Sequence, residues 1–249
     1  MTTQVHTAPS AFAEGGAESA LEGLRQLFNV VPDFQAAEAA TYVASYAAAD
    51  RRQFWQAPQG LFEDPANLKY TFETIYDGNV WRGGSGAGSD LQNAALYVAY
   101  IQHLVDQSDV RTIVDLGCGD WRFSQYLDLR NCDYLGVDIV PSLVATNTAK
   151  YGKAHVRFQA ADITAFDVPP CDLLLCKDVM QHVSNAHVQA ILERSAVASL
   201  AVFTNDYHPA NDDCVNGSTR PLDITAPPFS FAAKPRLAFG GKVSFVARQ

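Results

Sequence analysis

Residues 111–139 read Arg-Thr-Ile-Val-Asp-Leu-Gly-Cys-Gly-Asp-Trp-Arg-Phe-Ser-Gln-Tyr-Leu-Asp-Leu-Arg-Asn-Cys-Asp-Tyr-Leu-Gly-Val-Asp-Ile. The apolar run Thr112–Leu116 has the composition of a buried strand and stops at Gly117. Gly119 follows two residues later, so the backbone can turn tightly where a side chain would block a bound ligand. A helix is expected after the turn, then a second strand, Tyr134–Ile139, that carries Asp138 at its end. An acid about 20 residues beyond such a turn can accept hydrogen bonds from both hydroxyls of a ribose. The segment therefore reads as strand, turn, helix and strand around a nucleoside-type cofactor.

The composition of the turn narrows that cofactor. A dinucleotide fingerprint has a third glycine and an open helix start for pyrophosphate, whereas Asp120 and Trp121 stand here. Carboxylates at Asp115 and Asp120 would repel a pyrophosphate and suit a cation. The string Asp115-Leu116-Gly117-Cys118-Gly119 resembles the first motif of the class I methyltransferases, which bind S-adenosylmethionine through its positively charged ammonium and sulfonium. The resemblance implies that Asp115, Gly117, Gly119, Asp138 and Ile139 hold that cofactor. It also implies that Asp162, after the strand Val156–Ala160, lies beside the adenine amine, with Ile163 against the ring. Lys177-Asp178-Val179-Met180-Gln181-His182 and Arg220-Pro221-Leu222-Asp223 are similar to stretches in chains of the same type.

Around this unit the pattern is α/β. Pro141–Tyr151 is a helix with proline in its first turn, Cys171–Lys177 an almost wholly apolar strand, Asn185–Ala198 a helix and Leu200–Thr204 a fifth strand. Pro235–Phe239 and Lys242–Ala247 flank Gly240-Gly241, a hairpin signal. Five βα steps and a closing hairpin match the Rossmann-like class I methyltransferase fold, a mainly parallel sheet with a terminal antiparallel hairpin. The resemblance runs from about residue 70 to the end, so the expected division is a helical cap over 1–68 and a catalytic domain over 69–249.

In the cap, residues 1–20 are small and polar enough for disorder. Ala17–Phe28 carries Leu21, Leu24, Leu27 and Phe28 at helical spacing, Asp33–Ala49 is alanine-rich, and Phe54–Phe62 adds aromatics and prolines. Three readings stand together: a lid over a substrate pocket, a homodimer surface, and simple packing on the sheet. The loop Trp81-Arg82-Gly83-Gly84-Ser85-Gly86-Ala87-Gly88-Ser89 precedes a helical pattern beginning at Leu91. It reads either as a flexible linker or as a set of N–H groups at a helix start that meets the methionine carboxylate of the cofactor through Trp81, Ser85, Gly86 and Ser89.

Composition sets the outer bounds. A chain of 249 residues, 48% hydrophobic, buries a full α/β core without disulfides. The formal charge of −9, with no basic cluster, disfavours nucleic acid and anionic membranes as partners. Five cysteines without paired spacing fit a reducing cytoplasm. Neither a signal-type start nor a membrane-length apolar run is present. His208, Asp212, Asp213 and Cys214 lack a recurrent ligand spacing, so no metal is expected.

In an open α/β sheet the ligand lies across the carboxyl ends of the strands. There the fourth strand is followed by Lys177, Asp178, Gln181 and His182, and the fifth by Asn205, Asp206, Tyr207 and His208. If Asp178 opens a helical turn, His182 sits one turn on and the two can hydrogen-bond. That pair supplies an oriented general base, with Asp206 and Tyr207 orienting the acceptor and Lys177 placed beside the cofactor. The competing plain readings are a helix cap for Asp178, a core histidine for His182 and a polar loop for 206–208. The long stretch Pro209–Phe231 reads as a loop bordering the acceptor site, with Arg220 and Asp223 as pocket residues or an ion pair. The expected function is methyl transfer from S-adenosylmethionine to a small molecule, a secondary or cell-surface metabolite, by direct displacement, within secondary metabolism. Two alternatives remain: attack on the methionine Cγ with release of methylthioadenosine, as in cyclisation to azetidine-2-carboxylate, and a non-catalytic S-adenosylmethionine-binding module.

Overall fold

The computed structural model describes residues 17–30, 34–46, 62, 64 and 66–248. Its strands are β1 Thr112–Leu116, β2 Asp133–Asp138, β3 Val156–Ala160, β4 Cys171–Lys177, β5 Ala198–Asp206, β6 Lys234–Phe239 and β7 Lys242–Arg248. They form one sheet in the order β3-β2-β1-β4-β5-β7-β6. β1 to β5 run parallel, and β7 is antiparallel to both β5 and β6. The chain winds from β1 towards β3, then returns to place β4 on the other side of β1. The β1–β4 boundary is thus the switch point at which such sheets open a crevice. The β6–β7 turn has Gly240 and Gly241 both at positive φ, 54° and 86°, as a two-residue hairpin requires.

The helices are α1 Ala17–Val30, α2 Phe34–Tyr46, α3 Leu68–Asp77, α4 Leu91–Gln107, α5 Pro141–Tyr151 and α6 Asn185–Arg194. Strand alternation feeds two cores. On β4, Leu173 and Leu175 join α1 and α4 on one face, while Leu174 and Cys176 join Val188, Ile191 and Leu192 of α6 on the other. All four are at most 1% exposed, so the apolar run in the sequence reflects a strand buried on both faces.

Three expectations change. No α-helix follows the glycine turn; residues 117–132 carry only a 3-10 turn at Ser124–Tyr126. The cause is local: Gly119 and Trp121 both adopt left-handed backbone, φ 56°, which cannot continue a right-handed helix. Trp121 accepts that conformation because its ring is buried against Tyr134, Tyr151 and Phe158. Nor does a helix join β3 to β4, or β5 to β6, so the five βα steps reduce to α5 and α6 between strands.

The third change concerns the front helices. α1 packs on α4 and α2 on β6, with Leu21 and Phe28 buried in the α4 core. The expected boundary at residues 68 and 69 falls at the start of α3. The expectations for residues 1–16, and for all of Phe54–Phe62 except Phe62, lie outside the described residues. No helix among the described residues is long and apolar enough to cross a membrane.

Candidate active site

The glycine turn is built for close approach. Gly117 has φ 75°, and a Cβ there would lie 2.3 Å from the Val179 side chain; at Gly119 a Cβ would lie 2.4 Å from Ser85 Oγ. Neither position admits a side chain without displacing the opposite wall. Asp138, at the end of β2, holds the turn from behind: its Oδ2 accepts from the Gly119 N–H at 3.0 Å and its Oδ1 from the Val140 N–H at 3.1 Å. A carboxylate has about four lone-pair sites, so capacity for further donors remains. Burial pushes the Asp138 carboxyl up despite these N–H groups.

The glycine-serine loop is docked onto the turn and is not a free linker. Ser85 N–H donates to Asp120 Oδ2 at 3.2 Å, and Asp120 N–H donates back to Ser85 Oγ at 2.9 Å. The Tyr76 hydroxyl meets the same Ser85 Oγ at 2.8 Å. Arg122 completes the clamp by donating to Asp120 and to the Gly83 carbonyl, both at 2.7 Å. The Asp120 carboxylate, read above as a partner for a cationic ligand, is thus committed to Ser85 and Arg122, and Asp120 is not among the residues lining the cavity.

Between turn, loop and strand ends lies a cavity. Of the expected cofactor residues, Trp81, Ser85, Ser89, Asp115, Gly117, Gly119, Asp138, Ile139, Asp162, Ile163 and Lys177 line it. Gly86 does not; it sits at φ 79° beside Trp81 as part of the loop's turn. The lining includes the carboxylates of Asp115, Asp138, Asp162 and Asp178 against the single ammonium of Lys177. Burial pushes Asp115 up to about 6, with the Tyr134 hydroxyl, 2.6 Å away, pulling the other way. The Trp81 indole N–H is buried and has no acceptor among the described residues.

Beyond β4 the expected Asp178–His182 pair does not form. Asp178 adopts φ 58°, which breaks the helical turn that would have aligned the two. Its Oδ1 accepts from Lys242 Nζ at 2.8 Å and its Oδ2 from Lys177. Burial pushes its carboxyl up, but the two ammonium groups outweigh burial and hold it below the ordinary carboxylate range. Lys177 donates also to the Gly88 carbonyl at 3.0 Å, tying β4 to the glycine-serine loop. His182 lies in a 3-10 turn, Met180–His182, with its ring 4.8 Å from that of Trp81. Its Nδ1 is 2.9 Å from the Ser218 carbonyl, and burial lowers its pKa.

Asp178 and His182 line the cavity, whereas Asp206 and Tyr207 stand behind it. Asp206 pairs with Lys242 at 2.7 Å. Tyr207 is 2% exposed, packs against Tyr42 and Phe245, and reaches Asp223 at 3.3 Å.

The expected Arg220–Asp223 ion pair is absent. Arg220, fully buried, donates to the carbonyls of Met180, Val183 and Asp212 and to Asn185 Oδ1. Asp223 instead caps Thr225. No group of His, Cys, Asp and Glu able to hold a metal occurs among the described residues.

Sequence reading missed one wall. Leu68, Phe72 and Tyr76 of α3 face the cavity at a spacing of four residues, and Phe72 and Tyr76 pack edge-on against Trp81. That spacing, just before Trp81, was the available signal. The described residues of α1 and α2 are not among those lining the cavity. Lys242 was unmarked because its importance arises only when the hairpin returns beside β5.

Comparison with known proteins agrees with this fold. Residues 113–198, about a third of the chain, match a family described as "Methyltransferase domain". No curated protein matches the sequence. The fold is similar to that of 1,6-didemethyltoxoflavin-N1-methyltransferase from Burkholderia thailandensis, 18% identical over 81% of this chain and 96% of that one, with a TM-score of 0.52. It is also similar to human N-acetylserotonin methyltransferase, 14% identical over 91% of this chain and 70% of that one, TM-score 0.50. A shorter likeness, to the methyltransferase domain of bacterial CtHen1, is 12% identical over 45% of this chain and 66% of that one, TM-score 0.40.

Proposed function

We propose that this chain, whose fold is that of the class I methyltransferases and which carries a methyltransferase domain over residues 113–198, transfers a methyl group from S-adenosylmethionine to a small-molecule acceptor. The observation that carries the reading is the single cavity that gathers the glycine turn, Asp138, Asp162, Ile163 and the groups after β4. Its residues suit the cofactor. Asp138 has acceptor capacity left for ribose hydroxyls, and Asp162 and Ile163 stand for the adenine. The unsatisfied Trp81 N–H, with Ser85 and Ser89, offers donors for a carboxylate. An excess of carboxylates over ammonium favours a cation. The Burkholderia enzyme was solved with bound 1,6-didemethyltoxoflavin and S-adenosylhomocysteine, which supports a small acceptor for this chain as well.

When bound, S-adenosylmethionine supplies an activated methyl group on a good leaving group. The chain's own work is to position and to exclude water. Gly117 and Gly119 let the backbone approach. Phe72, Trp81, Val179 and Val183 enclose the acceptor end with apolar surface. His182 meets the acceptor's proton, and Lys177 and Lys242 keep Asp178 ionised in the wall. Asp206 and Tyr207 act from behind, through Lys242 and Asp223, on the shape of that wall.

The test is calorimetry with S-adenosylmethionine and S-adenosylhomocysteine on wild-type and Asp138→Ala protein, followed by product analysis with and without candidate acceptors. Binding abolished by Asp138→Ala, with adenosylhomocysteine released only when an acceptor is present, is the expected result. Methylthioadenosine from cofactor alone would replace this reading by attack at Cγ. Binding with no turnover for any acceptor, and indifference to His182→Ala, would leave a binding module.

A further inference from the structure

Four hydrogen bonds around His182 fix each other's direction. The Asp206 backbone N–H can only donate, and it meets Gln181 Oε1 at 2.8 Å. That sets the Gln181 side-chain amide, whose other end is then an NH2 group that can only donate. Its Nε2 is 3.4 Å from His182 Nε2, so the imidazole nitrogen there must accept. On the far side of the ring, Nδ1 faces the Ser218 carbonyl at 2.9 Å, which can only accept, and Thr219 Oγ1 at 3.1 Å. Nδ1 therefore carries the hydrogen. Both ends give the same tautomer, from partners on β5 and on the 209–233 segment that are independent of each other.

We infer that Gln181 is a positioning residue that locks His182 as the neutral Nδ1–H tautomer, so that the ring can meet a ligand in the cavity only as an acceptor, through the Nε2 lone pair that the Gln181 NH2 holds until a ligand donor takes its place. The matching ligand brings an O–H or N–H at that point; a carboxylate or another bare acceptor finds no donor in His182. A protonated ring would place Nε2–H against the Gln181 NH2 group, donor to donor. Turning the amide over would relieve that contact but oppose its NH2 to the Asp206 N–H. Gln181 is 4% exposed, so water does not readily substitute for either partner. The charged groups around the ring are Asp178 after β4, Asp206 at the end of β5 and Lys242 at the start of β7. Asp178 and Asp206 would raise the ring's pKa and Lys242 would lower it; burial outweighs the two carboxylates. The methyltransferase reading enters only through the identity of the ligand; the state of the ring does not depend on it.

Long-range 1H–15N correlation of the histidine rings in cofactor-free, 15N-labelled protein between pH 5 and 8 reads the tautomer directly. The His182 signals are identified by their loss in His182→Gln. In wild type, Nδ1 should appear protonated and Nε2 bare, with a titration midpoint below that of an exposed histidine. In Gln181→Glu a carboxylate oxygen accepts at both contacts, and the midpoint should rise by about one pH unit, a tenfold shift. Gln181→Met keeps the volume and removes both contacts; the Ser218 carbonyl still holds Nδ1–H in the neutral ring, but protonation at Nε2 no longer meets an N–H, so the midpoint should rise, by less than in Gln181→Glu. Protonated Nε2 in the neutral wild-type ring overturns the inference, as does an unchanged ring in folded Gln181→Glu. If Gln181→Glu fails to fold by circular dichroism, wild type and Gln181→Met decide the question alone. Failure of cofactor binding in calorimetry would count against the proposed reaction and leave the ring assignment standing.

Discussion

At Gly119 a methyl group has nowhere to go. With φ at 56° and Ser85 Oγ 2.4 Å from the ideal Cβ, Gly119→Ala faces both backbone strain of about 1–2 kcal/mol and a displaced loop. We expect measurable destabilisation in urea and loss of S-adenosylmethionine binding of at least tenfold by calorimetry; unchanged affinity would contradict the role given to this turn. Asp115 yields a prediction in pH. Burial, opposed by the Tyr134 hydroxyl, pushes its carboxyl to about 6 from 3.8, so between these values the folded state holds more proton than the unfolded state. Stability from this group therefore falls as pH rises through that window and stays lowered above it. Asp115→Asn removes the burden while still accepting from Tyr134, and its stabilisation in urea melts should be larger at pH 8 than at pH 5. His182, whose pKa is lowered, acts with the opposite sign: the unfolded state takes its proton first once pH drops below 6.5. The comparison must therefore be the difference between the two proteins at each pH.

The elements show where sequence reasoning succeeds and where it stops. Thr112–Leu116, Val156–Ala160, Cys171–Lys177 and Pro141–Tyr151 appear with the bounds that composition and proline placement give, because burial on both faces, the apolar–polar alternation of an edge strand such as β3 or a helix-start signal is written in contiguous residues. The cavity lining at the strand ends was legible for the same reason, being made of residues that follow strands. The segment after β1 misled: its apolar positions suit a helix, but left-handed backbone at Trp121 and the ties of Asp120 and Arg122 to a loop some 35 residues away decide its path. Asp178–His182 failed likewise, since Lys242, 64 residues on, claims the carboxylate.

The segment between β5 and β6, read from its length as a loop, is held in place by a buried side chain. Arg220 ties the carbonyls of Met180, Val183 and Asp212 into one buried knot. Arg220→Met leaves these acceptors unsatisfied and should cost about 3 kcal/mol or more in equilibrium unfolding. A loss below about 1 kcal/mol would show that the knot opens to water.

For the molecule as a whole, a ligand seated among the glycine turn, the glycine-serine loop, α3 and the ends of β2 and β4 bonds elements spread from residue 68 to residue 191. Such a ligand stabilises by mass action, about 2.7 kcal/mol at a hundredfold excess over its Kd. S-adenosylhomocysteine should therefore raise the melting temperature by roughly 5–10 °C at that concentration, and by much less in Asp138→Ala. Adenosine alone, which lacks the carboxylate proposed for Trp81, Ser85 and Ser89, should give a smaller rise at equal concentration. Equal shifts would argue against those donors.

The knot at Arg220 also bears on traffic. Gly217 N–H donates to the His182 carbonyl, Arg220 N–H to that of Gln181 and Leu222 N–H to that of Asp206. With Arg220 itself, these bonds make the 209–233 segment a fixed jamb beside the His182 end of the cavity. α3 meets the cavity through the side chains of Leu68, Phe72 and Tyr76, with one hydroxyl contact, Tyr76 to Ser85. Passage in and out is easier where contacts are apolar and few than where several main-chain bonds must break together. The two flanks of the cavity are therefore held differently, by main-chain bonds beside His182 and by side-chain packing along α3.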